Sequence, residues 1–202
     1  MLEQMAAIRE QPQVKAPVER TVIVACQQGD REALRVLFEE YKDRVYSIAF
    51  YSLSGDEAAA ADATQQVFLK LITRIGQFRG DAEFATWLYR LVVNTCLDER
   101  RKQKRLVPLA EFGLMTKNQS EVSQAKHYAQ HELAEHVQAA VAELRPKLRL
   151  PILLKYIEGL SYDEISKVLG CSKGTVASRL NRGHKALAQR LDWLRGQFVA
   201  EE

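Results

Sequence analysis

Apolar side chains recur every three or four residues through most of the first hundred positions, which is the spacing of amphipathic α-helices. Asp30 is a suitable N-cap for a helix ending near Leu53, whose inward stripe contains Leu34, Leu37, Phe38, Tyr41, Val45, Ile48 and Ala49. A helix from Asp56 to Ile75 would bury Val67, Phe68, Leu71, Ile72 and Ile75. A third, over 83–104, would bury Phe84, Trp87, Leu88, Leu91, Val92 and Cys96. With a weaker helix near 18–28, these elements predict one helical domain over 18–105.

The pattern weakens over residues 106–130, where Pro108, Gly113 and a run of Ser, Thr, Asn and Gln leave few apolar anchors. Such a composition predicts a flexible linker. A second helical domain then begins near His131 and extends to 195, with tails at 1–17 and 196–202. The predicted fold class is therefore all-α, with two small helical domains joined by a flexible linker.

The second domain contains the most specific local signal in the chain. Ser161 and Glu164 have the spacing of a capping box, which predicts a short helix that ends at Gly170. Ser172 is a strong N-cap for the next helix, and the two helices with their short turn predict a helix-turn-helix. An alternative is a helical hairpin whose charges merely keep it in solution.

Composition indicates an ordinary globular chain, since 47% of the 202 residues are hydrophobic and 27% are charged. Three distant cysteines predict neither a disulfide framework nor a thiolate metal site. No apolar run is long enough to cross a bilayer, and residues 1–20 lack the core of a secretion signal, so we expect a cytoplasmic protein without membrane insertion.

Nothing in the sequence indicates an enzyme, because it contains no phosphate-binding glycine loop, nucleophile elbow or paired-carboxylate site. We predict no cofactor and no metal. His127 and His131 stand one helical turn apart, with His136 further on, but no Cys or carboxylate completes a ligand set. A solvated helix face is the favoured interpretation of these histidines.

Charge divides the chain into an acidic part and two basic parts. Residues 18–99 carry 9 Lys/Arg against 13 Asp/Glu, residues 100–105 read RRKQKR, and residues 145–195 carry 11 Lys/Arg against 4 Asp/Glu. The helix after Ser172 has five cations and no acid up to Arg190. A recognition helix in the major groove of DNA needs an apolar face that packs on its own domain and an opposite face, here called the front, with cationic and hydroxyl side chains.

Three further groups have both a structural and a functional interpretation. The cations at 100–105 suit nucleic acid, but a helix C-terminus favours cations in any protein. Phe78, Phe84, Trp87 and Tyr89 could stack on bases or simply fill the core. Asp62, Gln65, Gln66 and Lys70 share the outer face of the second helix, which suits either solvent or a protein partner.

The motifs resemble those of a known family. Residues 61–69 (ADATQQVFL), Phe78-Arg79-Gly80, residues 84–90 (FATWLYR) and Asn94 resemble the core-binding and promoter-melting domain of extracytoplasmic-function (ECF) sigma factors in the sigma-70 family. Residues 158–165 (EGLSYDEI), 174–176 (GTV) and 178–180 (SRL) resemble their second domain. The resemblance covers about residues 30–192.

This resemblance implies a bacterial transcription initiation subunit that binds core RNA polymerase and promoter DNA. Contact with the beta-prime clamp helices would involve Asp62, Gln65, Gln66 and Phe68. The minus-ten element, including the melted non-template strand, would meet Phe78, Arg79, Phe84, Trp87, Arg90, Asn94 and Arg101. The minus-thirty-five duplex would meet Ser172, Lys173, Thr175, Ser178, Arg179, Arg182 and Lys185.

Family members are commonly held inactive by an anti-sigma factor until a stress or envelope signal releases them, so we expect such a partner here. The linker predicts mobile domains in the free protein, between which a helical anti-sigma factor could wedge. The rival hypotheses are a helix-turn-helix regulator that binds duplex operators without polymerase, and a helical scaffold without nucleic-acid function. A regulator would bind promoter duplex tightly by itself, whereas a sigma factor needs core polymerase.

Overall fold

The computed structural model describes the backbone of residues 20–106 and 125–194 and the side chains of residues 20–103 and 134–193. Within these ranges the chain forms helices and turns without strands, which confirms the all-α fold class. The predicted tails, residues 107–124 of the predicted linker (106–130), and the side chains of Lys104, Arg105, His127 and His131 lie outside the described residues.

The first bundle contains four α-helices and one short 3-10 turn. They are α1 (Arg20–Gln27), α2 (Arg31–Ser52), α3 (Glu57–Arg74), the 3-10 turn Ile75–Gln77 and α4 (Phe84–Leu106). The predicted caps are confirmed, since Asp30 accepts hydrogen bonds from the backbone of Glu32 and Ala33, and Asp56 accepts one from Ala59. Both carboxylates also suit the positive end of a helix dipole.

The second bundle contains α5 (Ala125–Glu143), α6 (Pro146–Tyr156), α7 (Tyr162–Leu169) and α8 (Lys173–Arg190), followed by the 3-10 turn Asp192–Leu194. Ser161 and Glu164 form the predicted capping box at the start of α7. Gly170 ends α7 in the left-handed region at φ 61°. Because glycine adopts that conformation without steric cost, the chain turns directly into α8.

A close helix crossing positions α8 on its bundle. Gly183 lies on the buried side of α8, where an added Cβ would stand 2.6 Å from Cδ1 of Ile152 on α6. Glycine therefore lets the two backbones approach closely. The buried positions Val176, Leu180 and Leu187 continue this contact along α8, which leaves the opposite side of the helix to solvent.

Two apolar side chains of the first bundle are not where the periodicity places them. Phe38 of α2 and Ile72 of α3 are predicted to be inward, but they are 41% and 52% exposed. Both lie at the edge of their stripes, where the neighbouring helix covers them only in part. Their exposure is the first sign of a surface built for a partner.

The two bundles pack directly against each other. Helix α6 contacts α2, and α7 contacts α4. Arg149 of α6 is buried and donates to the backbone carbonyl of Ser52 at the end of α2, over 2.8 Å. The polar linker predicts domains that move independently, and the structure instead shows them in contact. The composition of a linker indicates how stiff the linker is, but it does not indicate whether the two domains that it joins pack against each other.

No helix within the described ranges is both long enough and apolar enough to cross a lipid bilayer.

Candidate nucleic-acid and protein interfaces

An apolar groove lies on the surface between α2 and α3. It has a volume of about 410 Å³ and is lined by Phe38, Tyr46, Ala61, Thr64, Gln65, Phe68, Leu69 and Ile72. Leu69 is 57% exposed and Tyr46 is 37% exposed. Phe38 packs edge-on against Phe68, with ring centroids 4.8 Å apart, and so forms the floor of the groove.

Two of the four residues predicted to contact polymerase, Gln65 and Phe68, line this groove. Asp62 and Gln65 are exposed, Gln66 is half-buried, and Gln65 lines the groove itself. Phe68 is only 9% exposed, so it supports the groove from below more than it projects from it. Lys70 leaves the predicted outer face, because its ammonium donates to Thr95 Oγ1 on α4 over 2.9 Å.

An aromatic cluster lies between the end of α3 and the first turns of α4. The ring centroids of Phe78, Phe84 and Trp87 lie 5.4 to 5.8 Å apart. Phe84 also packs against Tyr41 and is 5% exposed, so it holds the cluster to the core, and its predicted contact with bases stays a prediction. Phe78 and Trp87 are half-buried and Arg79 is exposed, which leaves these three able to meet a ligand.

Helix α1 fixes the backbone that carries this cluster. The Gln27 side-chain amide donates to the carbonyl of Ile75 over 3.0 Å and to that of Phe78 over 2.8 Å. Gln27 is therefore a positioning residue that the sequence pattern does not reveal, since an amide in a short helix has no periodic signature.

A polar stripe continues from Trp87 along α4. Arg90, Asn94 and Arg101 are all exposed, as the one-turn spacing predicts. Asn94 and Arg101 line a second pocket of about 340 Å³ with Lys70 and Arg74 of α3. The sequence pattern does not place Lys70 and Arg74 on this surface. The packing of α3 on α4 brings them beside Asn94 and Arg101. The side chains of Leu91, Thr95, Leu97 and Asp98 complete the pocket lining.

The basic cluster after residue 99 divides between structural and exposed positions. Arg100 turns inward and donates to the carbonyl of Ser52 over 3.1 Å. Arg101 pairs with Asp98 over 3.0 Å and Lys102 pairs with Glu99 over 2.6 Å on the helix surface. Arg101 is thus the member that faces the polar stripe.

Helix α8 presents its N-terminal half to solvent. Ser172 caps the helix by accepting from the backbone of Thr175, and its hydroxyl also hydrogen-bonds that of Thr175 over 2.9 Å. The side chains of Lys173, Ser178, Arg182 and Lys185 are exposed, whereas those of Thr175 and Arg179 are half-buried. The cationic front predicted for a recognition helix is therefore on the surface, while Val176 and Leu180 on the opposite face are buried in the bundle.

Neighbouring side chains hold several of these cations in place. Lys173 pairs with Asp163 of α7 over 2.8 Å. The Arg182 guanidinium donates to the Ser178 carbonyl and hydroxyl over 3.2 Å and 3.0 Å. Arg179 reaches Cys171 Sγ at 3.7 Å. Such contacts reduce the conformational freedom that each side chain would lose on binding DNA.

His184 makes the second bundle sensitive to acid. Its Nε2 atom hydrogen-bonds the Tyr156 hydroxyl over 3.0 Å, and burial lowers the pKa of the ring from 6.5. The unfolded chain therefore binds a proton at a higher pH than the folded one, so stability is lost as the pH falls below about 6.5. We expect thermal melting of His184→Gln to depend less on pH than that of the wild type between pH 7.5 and 5.5. Parallel melting curves of the two proteins would contradict this.

The described residues contain no group of three or more His, Cys, Asp and Glu side chains that could hold a metal ion. His136 packs edge-on against Trp193, with ring centroids 4.6 Å apart.

Together, the exposed apolar groove, the polar stripe and the cationic side of α8 are three separate surfaces on a protein of two helical bundles. Residues 37–106 match the family model for sigma-70 region 2, and residues 134–187 match that for sigma-70 region 4. The chain is 31% identical over 182 residues to the ECF RNA polymerase sigma-E factor of Escherichia coli, covering 86% of this chain and 94% of that protein. It is 32% identical over 171 residues to the ECF RNA polymerase sigma factor SigW of Bacillus subtilis, covering 81% and 91%.

The chain belongs to the sigma-70 family, within its ECF group, and is an RNA polymerase sigma factor that acts in transcription initiation. This confirms the resemblance seen in the motifs.

Solved structures share the fold. One is CnrH in complex with the cytosolic domain of CnrY, with a TM-score of 0.64 and 24% identity, covering 86% of this chain and 96% of that one. Another is the sigma factor RpoE in complex with the anti-sigma factor NepR from Bartonella quintana, with a TM-score of 0.61 and 20% identity, covering 78% and 96%.

Proposed function

We propose that this sigma factor binds core RNA polymerase through the apolar groove and its polar edge. Four exposed or partly exposed apolar side chains, Phe38, Tyr46, Leu69 and Ile72, supply the buried centre that a stable protein interface needs. Asp62, Gln65 and Gln66 would supply its polar rim, with Phe68 supporting the floor. The beta-prime clamp helices are the proposed partner, because a two-helix surface accepts another helical element by ridge-into-groove packing.

The strand-opening role belongs to the aromatic cluster and the polar stripe. Phe78 and Trp87 offer ring faces on which a base freed from the duplex can stack. Arg79, Arg90, Asn94 and Arg101 supply exposed donors for phosphates and base edges, and Lys70 and Arg74 extend that supply across the pocket. The melted non-template strand of the minus-ten element would thus follow α4 over residues 84–101.

Duplex reading belongs to α8. Lys173, Arg182 and Lys185 can neutralise phosphates, and the hydroxyls of Ser172, Thr175 and Ser178 with Arg179 can reach base edges in the major groove of the minus-thirty-five element. The N-terminal end of a long helix also favours the phosphate charge. The domains that carry these two DNA tasks are proposed to span 18–105 and 131–195, with the linker at 106–130.

Regulation by an anti-sigma factor is part of the proposal. The sigma factor from Bartonella quintana, which shares the fold, was solved with an anti-sigma factor bound. The exposed groove is a surface that such a partner could cover, in competition with polymerase. An anti-sigma factor inserted between mobile domains fits this structure less well, because α6 packs against α2 and α7 packs against α4. We further propose that the protein acts in the cytoplasm, in a stress or envelope response, and that the chain itself catalyses no reaction.

The observation that carries the proposal is the coexistence of an exposed apolar groove and two separate cationic surfaces on one chain. Run-off transcription over a promoter library tests it, with core polymerase alone, the chain alone and both together. We expect specific transcripts only when both are present. Tight binding of promoter duplex by the chain alone, with no stimulation of core polymerase, would instead support an independent helix-turn-helix regulator.

A further inference from the structure

Residues 79–83, here called the 79–83 loop, connect the aromatic cluster to the start of α4 and lie outside any helix. Gly80 adopts a left-handed backbone at φ 81°. Every residue of the loop is exposed except Ala82, which is half-buried. A segment with so little burial does not fix its own conformation, so the direction in which Arg79 points depends on what holds the two ends of the loop.

The C-terminal end of the loop is held by burial and by the first turn of α4. Phe84 is 5% exposed and packs against Tyr41 of α2, with ring centroids 5.7 Å apart. The Glu83 carbonyl accepts a hydrogen bond from the backbone of Trp87 over 3.2 Å. This end of the loop is therefore fixed by the apolar core and by the helix that follows it.

The N-terminal end of the loop is held by a side chain from a distant helix. The Gln27 amide, at the end of α1, donates to the carbonyl of Ile75 over 3.0 Å and to that of Phe78 over 2.8 Å. Ile75 begins the 3-10 turn and Phe78 directly follows it, and the Phe78 backbone also donates to the Ile75 carbonyl over 3.0 Å. The two N–H groups of one amide can thus hold both carbonyls of the turn from which the loop departs.

Helix α1 is itself fixed to the first bundle. Ile23 and Cys26 are buried, at 6% and 2% exposure. Gly29, at φ 85°, donates to the Cys26 carbonyl over 3.0 Å and ends the helix, and Asp30 then caps α2. The backbone of Gln27 therefore has one position relative to the core, and its amide transfers that position to the 79–83 loop.

The Gln27 side chain lies on the surface, which separates a positioning role from a role in the core. Gln27 is exposed, and substitution of an exposed polar side chain usually leaves the stability of a protein nearly unchanged. A loss of function on substitution of Gln27 would therefore come from the loop that it holds, and not from unfolding of the bundle.

We propose that Gln27 is a positioning residue for strand opening: through its two hydrogen bonds, α1 holds the 79–83 loop in the conformation that receives the melted minus-ten strand. The inference rests on the sigma function proposed above. With the turn fixed, the Phe78 ring stays against Trp87, with centroids 5.7 Å apart, and Arg79 leaves the turn in one direction. A loop that is ordered before the strand arrives loses less conformational entropy when it binds that strand.

The test substitutes Gln27 in the full chain in two ways. Gln27→Met keeps the length of the side chain and removes both donors, whereas Gln27→Lys supplies donors again. Gln28→Met and Gln28→Lys are the matched controls, because they make the same changes one position later, at an exposed glutamine that bonds neither carbonyl. Hydrogen exchange at the Phe78 amide of the free chain measures the order of the turn. A titration with core polymerase and permanganate reactivity of the minus-ten region measure the two functions.

We expect exchange at the Phe78 amide to be about 5- to 10-fold faster in Gln27→Met, the factor that a net loss of about one hydrogen bond implies. The open complex formed by Gln27→Met should decrease by a similar factor, while its affinity for core polymerase and for duplex promoter stays within about twofold of the wild type. Gln27→Lys should recover both exchange and strand opening, and the Gln28 variants should behave like the wild type.

A double variant separates positioning of the loop from a general loss of stability. If Gln27 acts by directing Arg79, then Gln27→Met combined with Arg79→Ala should form nearly as much open complex as Arg79→Ala alone, since the contact that Gln27 directs is already absent. Losses that multiply in the double variant would overturn the proposal.

Three further results would contradict the assignment of Gln27. Unchanged exchange at the Phe78 amide in Gln27→Met would show that Gln27 does not order the turn. Faster exchange with normal strand opening would show that the order of the turn does not matter for opening. Equal defects in the Gln28 variants, or no recovery in Gln27→Lys, would show that the two hydrogen bonds are not the cause. Because exchange is measured without polymerase or DNA, failure of the positioning role is distinguishable from failure of the sigma function.

Discussion

The double variant Leu69→Glu, Ile72→Glu is expected to lose binding to core RNA polymerase by at least about 100-fold. These side chains are 57% and 52% exposed in the free protein, and the proposed interface would bury both. Full burial of a large aliphatic side chain contributes roughly 1.5 to 3 kcal/mol, and about half of that remains for each of these half-exposed side chains, so burial alone accounts for about 10- to 100-fold. The introduced carboxylates add a desolvation cost in the complex that is absent in the free protein. A pull-down titration with core enzyme measures the loss.

The first bundle offers a matched control for this experiment. Val24 and Val36 are 42% and 44% exposed, comparable with the groove residues, but neither lines the groove. Val24→Glu, Val36→Glu should therefore bind polymerase like the wild type, and both double variants should melt within a few degrees of it. Equal losses in the two double variants would show that exposed apolar area in general, and not this groove, mediates binding. The double variant Asp62→Lys, Gln66→Lys reverses the charge at Asp62 and enlarges Gln66, so it probes the polar rim and should weaken binding less.

The second prediction with a large expected effect is that substitutions on α8 and substitutions on the first bundle impair different DNA-binding steps of the holoenzyme. Arg182→Ala and Lys185→Ala alter exposed cations on α8, so we expect weaker binding to duplex promoter. For each lost phosphate contact, the slope of affinity against salt concentration should become shallower by about one. A filter-binding series at several salt concentrations checks this result.

Asn94→Ala and Arg79→Ala should act at a later step. Both side chains are exposed on the first bundle, so the substitutions should spare the fold and the closed complex. Because contacts to each base of the opened strand are worth roughly 1 to 3 kcal/mol, we expect about 10- to 100-fold less open complex. Permanganate reactivity of the minus-ten region measures strand opening directly.

A promoter that is already mismatched over the minus-ten region supplies the control. Loss of the melting step alone should be largely rescued on that template, whereas loss of base reading should persist. If the variants of both bundles failed only at duplex binding, the first bundle would not be a melting domain.

Local sequence determined most of the helix boundaries, although α5 begins at Ala125, inside the stretch predicted as linker. The N-caps Asp30, Asp56, Ser161 and Ser172 begin the helices at the predicted positions, because a cap is satisfied by backbone amides only two or three residues away. Gly170 and the capping box likewise produced the helix-turn-helix from a short segment. The cationic front of α8 follows from helical periodicity, since the buried Val176, Leu180 and Leu187 leave the charges on the other side.

Only the tertiary structure decided which side chains meet. Phe38 and Ile72 fit an inward stripe as well as Leu37 and Leu71 do, but the packing leaves them 41% and 52% exposed. The sequence leaves Phe84 either in the core or at a base, and the structure packs it against Tyr41, Phe78 and Trp87. Arg149 had no sequence signal at all, because its acceptors Tyr51, Ser52 and Ser54 lie nearly a hundred positions earlier. Periodicity and capping are local properties of the chain, whereas burial at a helix edge and contact between distant residues depend on how whole helices pack.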